Sequence, residues 1–546
     1  MFTTRSKHTA RTAYRLTSAV AVALAFAGTS QADLIEWDGE PDPAGSVDNT
    51  GTTQLWTNGD NWVGDAAPSS TDDVQVKEYD GDGPGGTNPD VTVDLDGDKT
   101  VNSLELGSGA RNTLQLGTTP SGETLTVTNG QVNVTSKGST NINSDLELGV
   151  GASIRDTANI DSQTINGNIS GIGGAAVDLQ IGSSGSQDTI TVNGNITANN
   201  LTIGLAGDDG GARLNGNNTV TGNVTVNGEL TLGSANATGG AAGTVNSGGR
   251  VTFADGAQGS DLSLFSFSTG SVLEIDEDPG ANTVAPFMAA DSAITVGRTS
   301  VDGAFDVNFG GNLRVDGESF GGGGDYDGDL VLDDSATGDN VLYLENRRHQ
   351  SGTATYDGLI SDGGQGDATL AVHLVGQGGR IELTNTGNSF SGNSPGIVIT
   401  RGTLVVNEAG TLGSGDIEVT PADEVTAIQE GPDGELDRSL TDNVANLELN
   451  AADLLNDDIT LFLNSAVVDE TTIYGTVDLN FTGTDTIAGL VIDGVDQGLG
   501  TFDASTHPDF LVGDGALQVI PEPASLAMLA AGGLLMLRRR NGRQSA

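Results

Sequence analysis

The sequence has no cysteine among its 546 residues. Disulfides, thiolate metal sites and a cysteine nucleophile are therefore excluded, and the fold must hold without covalent cross-links. Histidine is nearly missing. His8, His349, His373 and His507 are scattered, so no His-rich zinc motif is present. Aromatic residues make up only 4% of the chain, which argues against β-sandwiches, whose cores lean on large side chains. Basic residues are scarce too, with 22 Lys and Arg against 74 Asp and Glu. Such a surface repels nucleic acid and anionic lipid, because phosphate contacts need Lys and Arg. It attracts divalent cations and keeps the chain soluble through self-repulsion. No stretch of useful length shows helical periodicity.

What is abundant is glycine, at 82 residues, punctuating short alternating runs. Residues 91–260 repeat one phrase: Leu104-Glu105-Leu106-Gly107, Leu114-Gln115-Leu116-Gly117, Leu146-Glu147-Leu148-Gly149, Leu179-Gln180-Ile181-Gly182, Leu201-Thr202-Ile203-Gly204 and Leu230-Thr231-Leu232-Gly233. Apolar–polar alternation is the β period, one face in and one out. Turn pairs separate the runs at Asn129-Gly130, Asn193-Gly194, Asn215-Gly216 and Asn227-Gly228. A solenoid needs only thin layers of Val, Ile and Leu stacked rung on rung, with Gly and Asn at the corners. Asn, Thr and Ser can extend the stack as hydrogen-bonded ladders. The fold expected is all-β, an elongated parallel β-helix or β-solenoid with an N-terminal cap, followed by a short C-terminal transmembrane helix.

The two ends differ from the middle. Residues 1–32 place Arg5, Lys7, Arg11 and Arg15 before a mostly apolar run over 16–26, and finish Ser30-Gln31-Ala32. This is a signal-peptide pattern, with cleavage expected between Ala32 and Asp33 by signal peptidase. Residues 521–546 read Pro521-Glu522-Pro523, an apolar segment over 524–537, then Arg538-Arg539-Arg540. Taking the eight basic residues and one acid of these ends from the totals leaves 14 basic and 73 acidic groups between them, a net charge of −59.

Residues 33–90 carry all three tryptophans, Trp37, Trp56 and Trp62. They suit a cap on the open end of a solenoid; the other reading is a sugar-binding platform of outward rings. Residues 261–380 are less regular and hold Phe265, Phe267, Phe287, Phe305 and Phe309, which suggests an interruption or a lateral insertion. Residues 421–520 have the short strands expected of a closing unit.

Several stretches spell chemical motifs. Asp94, Asp96 and Asp98 have the spacing that opens an EF-hand loop, and Glu105 falls at its twelfth position, but Lys99 stands where the turn needs Gly. Asp325, Asp327 and Asp329 repeat the spacing without a terminal Glu. These are the candidate Ca2+ ligands; no other cofactor is indicated. Gly81 to Gly86 match G-x-G-x-x-G without a strand–turn–helix context. Residues 392–396 match G-x-S-x-G, with His507 downstream. There Pro395 has no N–H to give an oxyanion hole, and Ile397-Val398-Ile399 reads as strand. Paired carboxylates could do acid–base work on a polysaccharide, but in so acidic a chain their proximity is not diagnostic.

Two stretches resemble known families. Residues 381–420 run Ile381-Glu382-Leu383-Thr384-Asn385-Thr386-Gly387-Asn388-Ser389-Phe390-Ser391-Gly392, then Arg401-Gly402-Thr403-Leu404-Val405-Val406, then Ala409-Gly410-Thr411-Leu412-Gly413. This resembles the autotransporter-associated β-strand repeat, with Phe390 where that family usually has Tyr. The resemblance implies a β-helix in an exported surface region. The tail resembles the PEP-CTERM sorting signal of Gram-negative bacteria. It implies an exosortase-type processing enzyme acting near Pro521, Glu522 and Pro523, the segment 524–537 as a temporary inner-membrane anchor, and Arg538, Arg539 and Arg540 as the cytoplasmic stop. Fourteen apolar residues span roughly 21 Å as a helix, short of a full crossing. Bilayer thinning or arginine snorkelling makes up the difference. The function expected is that of an exported, non-enzymatic structural or adhesive protein of the cell surface or extracellular matrix, with extracellular polysaccharide as a candidate partner and no nucleic acid. The alternatives are a polysaccharide-degrading β-helix enzyme and a carbohydrate-binding module built on the tryptophans.

Overall fold

The structure is a computed structural model, and the described residues lie between 33 and 520. The longer gaps in the description are 38–52, 78–90, 276–285, 297–305, 318–324 and 423–444; shorter ones fall in between. The stretches with a signal-peptide pattern, 1–32, and with the resemblance to a sorting tail, 521–546, lie outside the described residues. Among the described residues there is no α-helix, and no helix is long and apolar enough to cross a membrane.

The chain is all-β and its large sheets are parallel, an arrangement consistent with a β-solenoid. One coil shows the plan. Val91–Asp94 lies in one face, Lys99–Val101 in a second, Ser103–Gly107 in a third, and Leu114–Leu116 returns to pair with Val91–Asp94. Successive coils repeat this through Thr140–Ile142, Asp145–Leu148 and Ala152–Asp156. The face begun by Lys99–Val101 has only four strands and ends at Ile169–Gly171. The other two faces continue.

Alternation puts every second residue inside, and register stacks these residues into columns. On one face the column runs Leu104, Val132, Ile154, Ile181, Ile203, Val226, Val245, Phe267, Met288, Phe309 and Leu332. All are buried. Residues 261–380 therefore carry the stack onward rather than interrupting it. Phe287 faces outward, 38% exposed, whereas Phe267 and Phe309 replace Val and Ile in this column, and Phe253 and Phe265 are core residues beside it. Each such side chain contributes about 1.5–3 kcal/mol through burial. The opposite column has one polar break. Leu114, Thr140, Gln163, Ile190 and Ala212 stack in register, and both side-chain amide atoms of Gln163 are buried without a hydrogen-bond partner.

Gly338–Asn346, Ala368–Leu383 and Ile397–Val406 are longer than the strands before them. Ala368–Leu383 pairs through its first half with Gly338–Asn346 and through its second with Thr353–Tyr356. Ile397–Val406 follows it, so one face becomes two. Here the stretch resembling the autotransporter repeat acquires physical reasons. Phe390 is fully buried, and Gly413 lies so close to its backbone and ring that a Cβ could not fit. Asn388 accepts from the Ile360 N–H at 2.8 Å and donates to the Thr411 carbonyl at 2.8 Å.

The corners have their own logic. Asn166 donates to Asn143 at 2.8 Å, Asn193 to Asn166 at 2.7 Å and Asn215 to Asn193 at 2.7 Å. Each is followed, from Asn166 on, by a glycine. A Cβ at Gly167, Gly194 or Gly216 would overlap the carbonyl oxygen of Ser144, Gly167 or Gly194 in the coil before. Glycine is needed at these corners for coil-to-coil approach. At Gly130, with φ of 74°, glycine serves the left-handed conformation as well as close approach to the Gly149 carbonyl.

Parallel pairing ends in antiparallel closure. Val495–Asp496 turns back on Gly489–Ile492 through Asp493 and Gly494, both at positive φ, as a two-residue hairpin requires. Gly500–Asp503 runs antiparallel to Ala516–Val519. Within this unit Asp485 is fully buried. Its Oδ2 accepts from the Leu454 and Leu455 N–H groups at 2.9 and 3.3 Å, while Oδ1 has no partner. Desolvation pushes its carboxyl above the usual range, against the backbone hydrogen bonds that favour the anion.

Gly194→Ala is expected to destabilise the chain by about 1–3 kcal/mol, the range for overpacking. Hydrogen exchange should show the lost protection concentrated in the coils on either side. For Asp485, the folded state holds the proton more tightly than the unfolded chain. Its contribution is therefore complete below the ordinary carboxylate pKa of about 3.9 and is lost as pH rises through the raised folded value. Asp485→Asn should raise the urea midpoint at pH 7 and lose that advantage near pH 3.

Candidate functional site

The carboxylates singled out by spacing lie at corners of the coil. Asp94 ends the strand Val91–Asp94, and Asp96 has a left-handed φ of 52°. Asp94 Oδ1 accepts from the Asp96 N–H at 3.1 Å, and Asp96 Oδ2 from the Thr57 hydroxyl at 2.9 Å. Asp98 Oδ1 accepts from the Thr124 N–H of the next coil at 2.9 Å. An EF-hand loop is not formed, because the chain after Asp98 runs as the strands Lys99–Val101 and Ser103–Gly107. That places Glu105 on another face, where it accepts from the Thr135 hydroxyl at 3.3 Å. Asp329 does the same work as Asp98. Its Oδ1 caps the Leu359 N–H at 2.8 Å, and its own N–H is capped by Asp306 at 3.0 Å. Asp325 opens the short strand Asp325–Tyr326, and Asp327 lies outside the described residues. Among the described residues no three His, Asp or Glu side chains converge as a metal cage requires.

The tryptophans are interior. Trp37, Trp56 and Trp62 are at most 4% exposed. Trp62 packs edge-on against both others at 4.8 Å between ring centroids, and its indole N–H donates to the Trp56 carbonyl at 2.8 Å. Rings so placed fill the first coil and offer no face for stacking on a sugar. The G-x-S-x-G spelling is followed by the strand Ile397–Val406, not by a helix, so it forms no nucleophile elbow. Of the G-x-G-x-x-G spelling nothing is described.

Register assembles a different group, one that motif spacing did not indicate. On the face that includes Leu313–Gly317, Gly338–Asn346 and Ala368–Leu383, the outward side chains line up as Arg314, Tyr343, His373, Val398, Glu418, Phe462 and Val491. At ladder spacing of about 4.8 Å these seven strands span roughly 29 Å. The Arg314 guanidinium lies over the Tyr343 ring at 5.9 Å from its centroid. Tyr343 meets His373 edge-to-face at 5.5 Å. Burial pushes His373 below its ordinary value, partly opposed by Glu418, so its ring is neutral at pH 7. Glu418 accepts from Thr420 at 2.7 Å and Asn464 at 3.0 Å. At the head of the column a shallow cavity of about 190 Å³ is lined by Ser292, Ala293, Asn312, Leu313, Arg314 and Tyr343. One signal was present in the sequence. Tyr343 and His373 occupy the outward phase of alternating runs, an unusual place for large rings.

Compared with family models, with curated proteins and with solved structures, the chain matches none.

With every tryptophan of the chain inside the cap, fluorescence reports on that unit alone. Emission should be blue-shifted and resistant to iodide quenching, and soluble oligosaccharides should leave it unchanged. Trp62→Ala should cost about 3–5 kcal/mol by emptying the cap.

Proposed function

We propose that this chain is an exported, non-enzymatic structural or adhesive protein of the cell surface or extracellular matrix. The observation that carries this reading is the work done by its polar side chains. Asp98, Asp329 and the asparagines of the corner ladder all tie one coil to the next. A molecule that invests its carboxylates in coil-to-coil hydrogen bonds is built for persistence and reach. The lack of cysteine agrees with folding outside the cytoplasm without oxidative help.

Delivery rests on the ends of the sequence. Residues 1–32 would be removed by signal peptidase. The segment 524–537, held by Arg538, Arg539 and Arg540, would anchor the protein in the inner membrane until an exosortase-type enzyme acts at Pro521-Glu522-Pro523. The acidic middle would then be released as a soluble surface that repels other polyanions.

Mass spectrometry of the protein recovered from the surface or the medium tests this. The expected mature chain begins at Asp33 and ends near Pro521-Glu522-Pro523. A surface protein that still ends at Ala546 would refute processing, and one retaining residues 1–32 would refute export by this route.

A further inference from the structure

The column from Arg314 to Val491 gathers several large side chains on one outward line. On a neighbouring face the outward column runs through small hydroxylic residues, Thr202, Thr225, Thr244 and Ser266, before it reaches Phe287, Asn308 and Val331. Here Tyr343, His373, Val398, Phe462 and Val491 stand outward in one file, with the Glu418 carboxylate between Val398 and Phe462. Around Glu418 and Phe462 polar residues flank the file on both sides. Asp416 and Thr460 lie along one edge, and Thr420 and Asn464 along the other.

We infer that this column is a binding track for a neutral polysaccharide chain, laid along the stack with sugar rings against Tyr343 and Phe462. This inference rests on the adhesive reading above and gives it a ligand. Four features select that ligand. The track is one side chain wide and about 29 Å long, which suits a linear polymer. A protein partner would need a broad patch, since stable interfaces bury about 1,200–2,000 Å². A small molecule would need an enclosed pocket of about 300–1,000 Å³, whereas the cavity beside Tyr343 is shallow and about 190 Å³. An anionic polymer would meet a formal net charge of −52. A neutral glycan meets none of these objections. Its C–H faces pack on the rings and aliphatic groups, while its hydroxyls reach the amides, hydroxyls and carboxylates of the flanks. The exposed Arg314 side chain stands at the head of the track.

Affinity electrophoresis of the purified full-length chain tests the inference, in gels containing a neutral β-glucan, a neutral α-glucan or a polyuronate. A neutral glucan should retard the native chain, and the polyuronate should not. Tyr343→Ala and Phe462→Ala should each weaken retardation at least tenfold, while Thr244→Ala on the other face leaves it unchanged. Circular dichroism checks that each variant is folded, and if Tyr343→Ala is not, Phe462→Ala decides. Absence of retardation by both neutral glucans overturns the inference. So does equal retardation of the folded ring variants, or retardation by the polyuronate as strong as by a glucan. The sorting reading is judged separately by the termini of the mature chain. A correctly trimmed surface protein that ignores glucans removes only the track, and a glucan-binding protein that keeps its tail removes only the sorting.

Discussion

Everything in this molecule depends on one distance, the separation of about 4.8 Å at which one coil lies on the next. Parallel pairing at that distance is unforgiving, because it places like positions of successive coils in direct contact. Inside, it makes columns of Val, Ile, Leu and Phe. At the corners it brings backbone against backbone, so that Gly167, Gly194 and Gly216 have no room for a side chain. The same closeness puts asparagine amides within reach of one another, and the ladder through Asn143, Asn166, Asn193 and Asn215 uses it. A corner breaks the backbone ladder and leaves N–H groups without strand partners. Asp98 and Asp329 supply the missing acceptors from the coil before.

A stack held by nearest neighbours has a problem at each end, where a coil has a partner on one side only. The two ends solve it differently. At the start, three indoles fill a cross-section that Val and Leu could not, with Trp62 locked by edge contacts and its own N–H. At the finish, antiparallel strands turn back on the last coils. Two of the final edges are then antiparallel strands, Val495–Asp496 and Gly500–Asp503, while Leu511–Gly513 ends its face in parallel pairing. Asp485 is part of that closure. It holds the turn at Leu454 and Leu455 by two N–H groups, at the cost of a buried oxygen without a partner.

How much of this was legible depended on whether the signal was local. The Leu-x-Leu-Gly runs announced strands because alternation is read within four residues. The Asn-Gly pairs announced corners, but why glycine is required there is a matter of the neighbouring coil. Residues 261–380 looked like an interruption because Phe had replaced Val and Ile, although Phe267 and Phe309 sit in the same column as Val245. The spacing of Asp94, Asp96 and Asp98 imitated a calcium loop, since corners and cation loops both favour carboxylates in tight turns. The outward column could not be read from spacing. Its members are separated by 20 residues between Val398 and Glu418 and by 44 between Glu418 and Phe462. Without the register there is no period to find.

The same nearest-neighbour economy bears on how the stack assembles. A coil closes over roughly twenty to thirty residues, a loop whose closure entropy is modest. Once one coil exists, the next gains a ladder, a buried layer and its corner bonds together. Growth from an existing end is therefore favoured over nucleation elsewhere. The indole cluster lies at the N-terminal end of the described residues, so the first coil to be synthesised carries the largest buried side chains. The tail lies at the other end, beyond the antiparallel closure. On the sorting reading it would hold the last residues at the membrane while the stack completes. Oxidative cross-links take no part in this assembly, because the chain has no cysteine. The fold draws its cohesion from repetition.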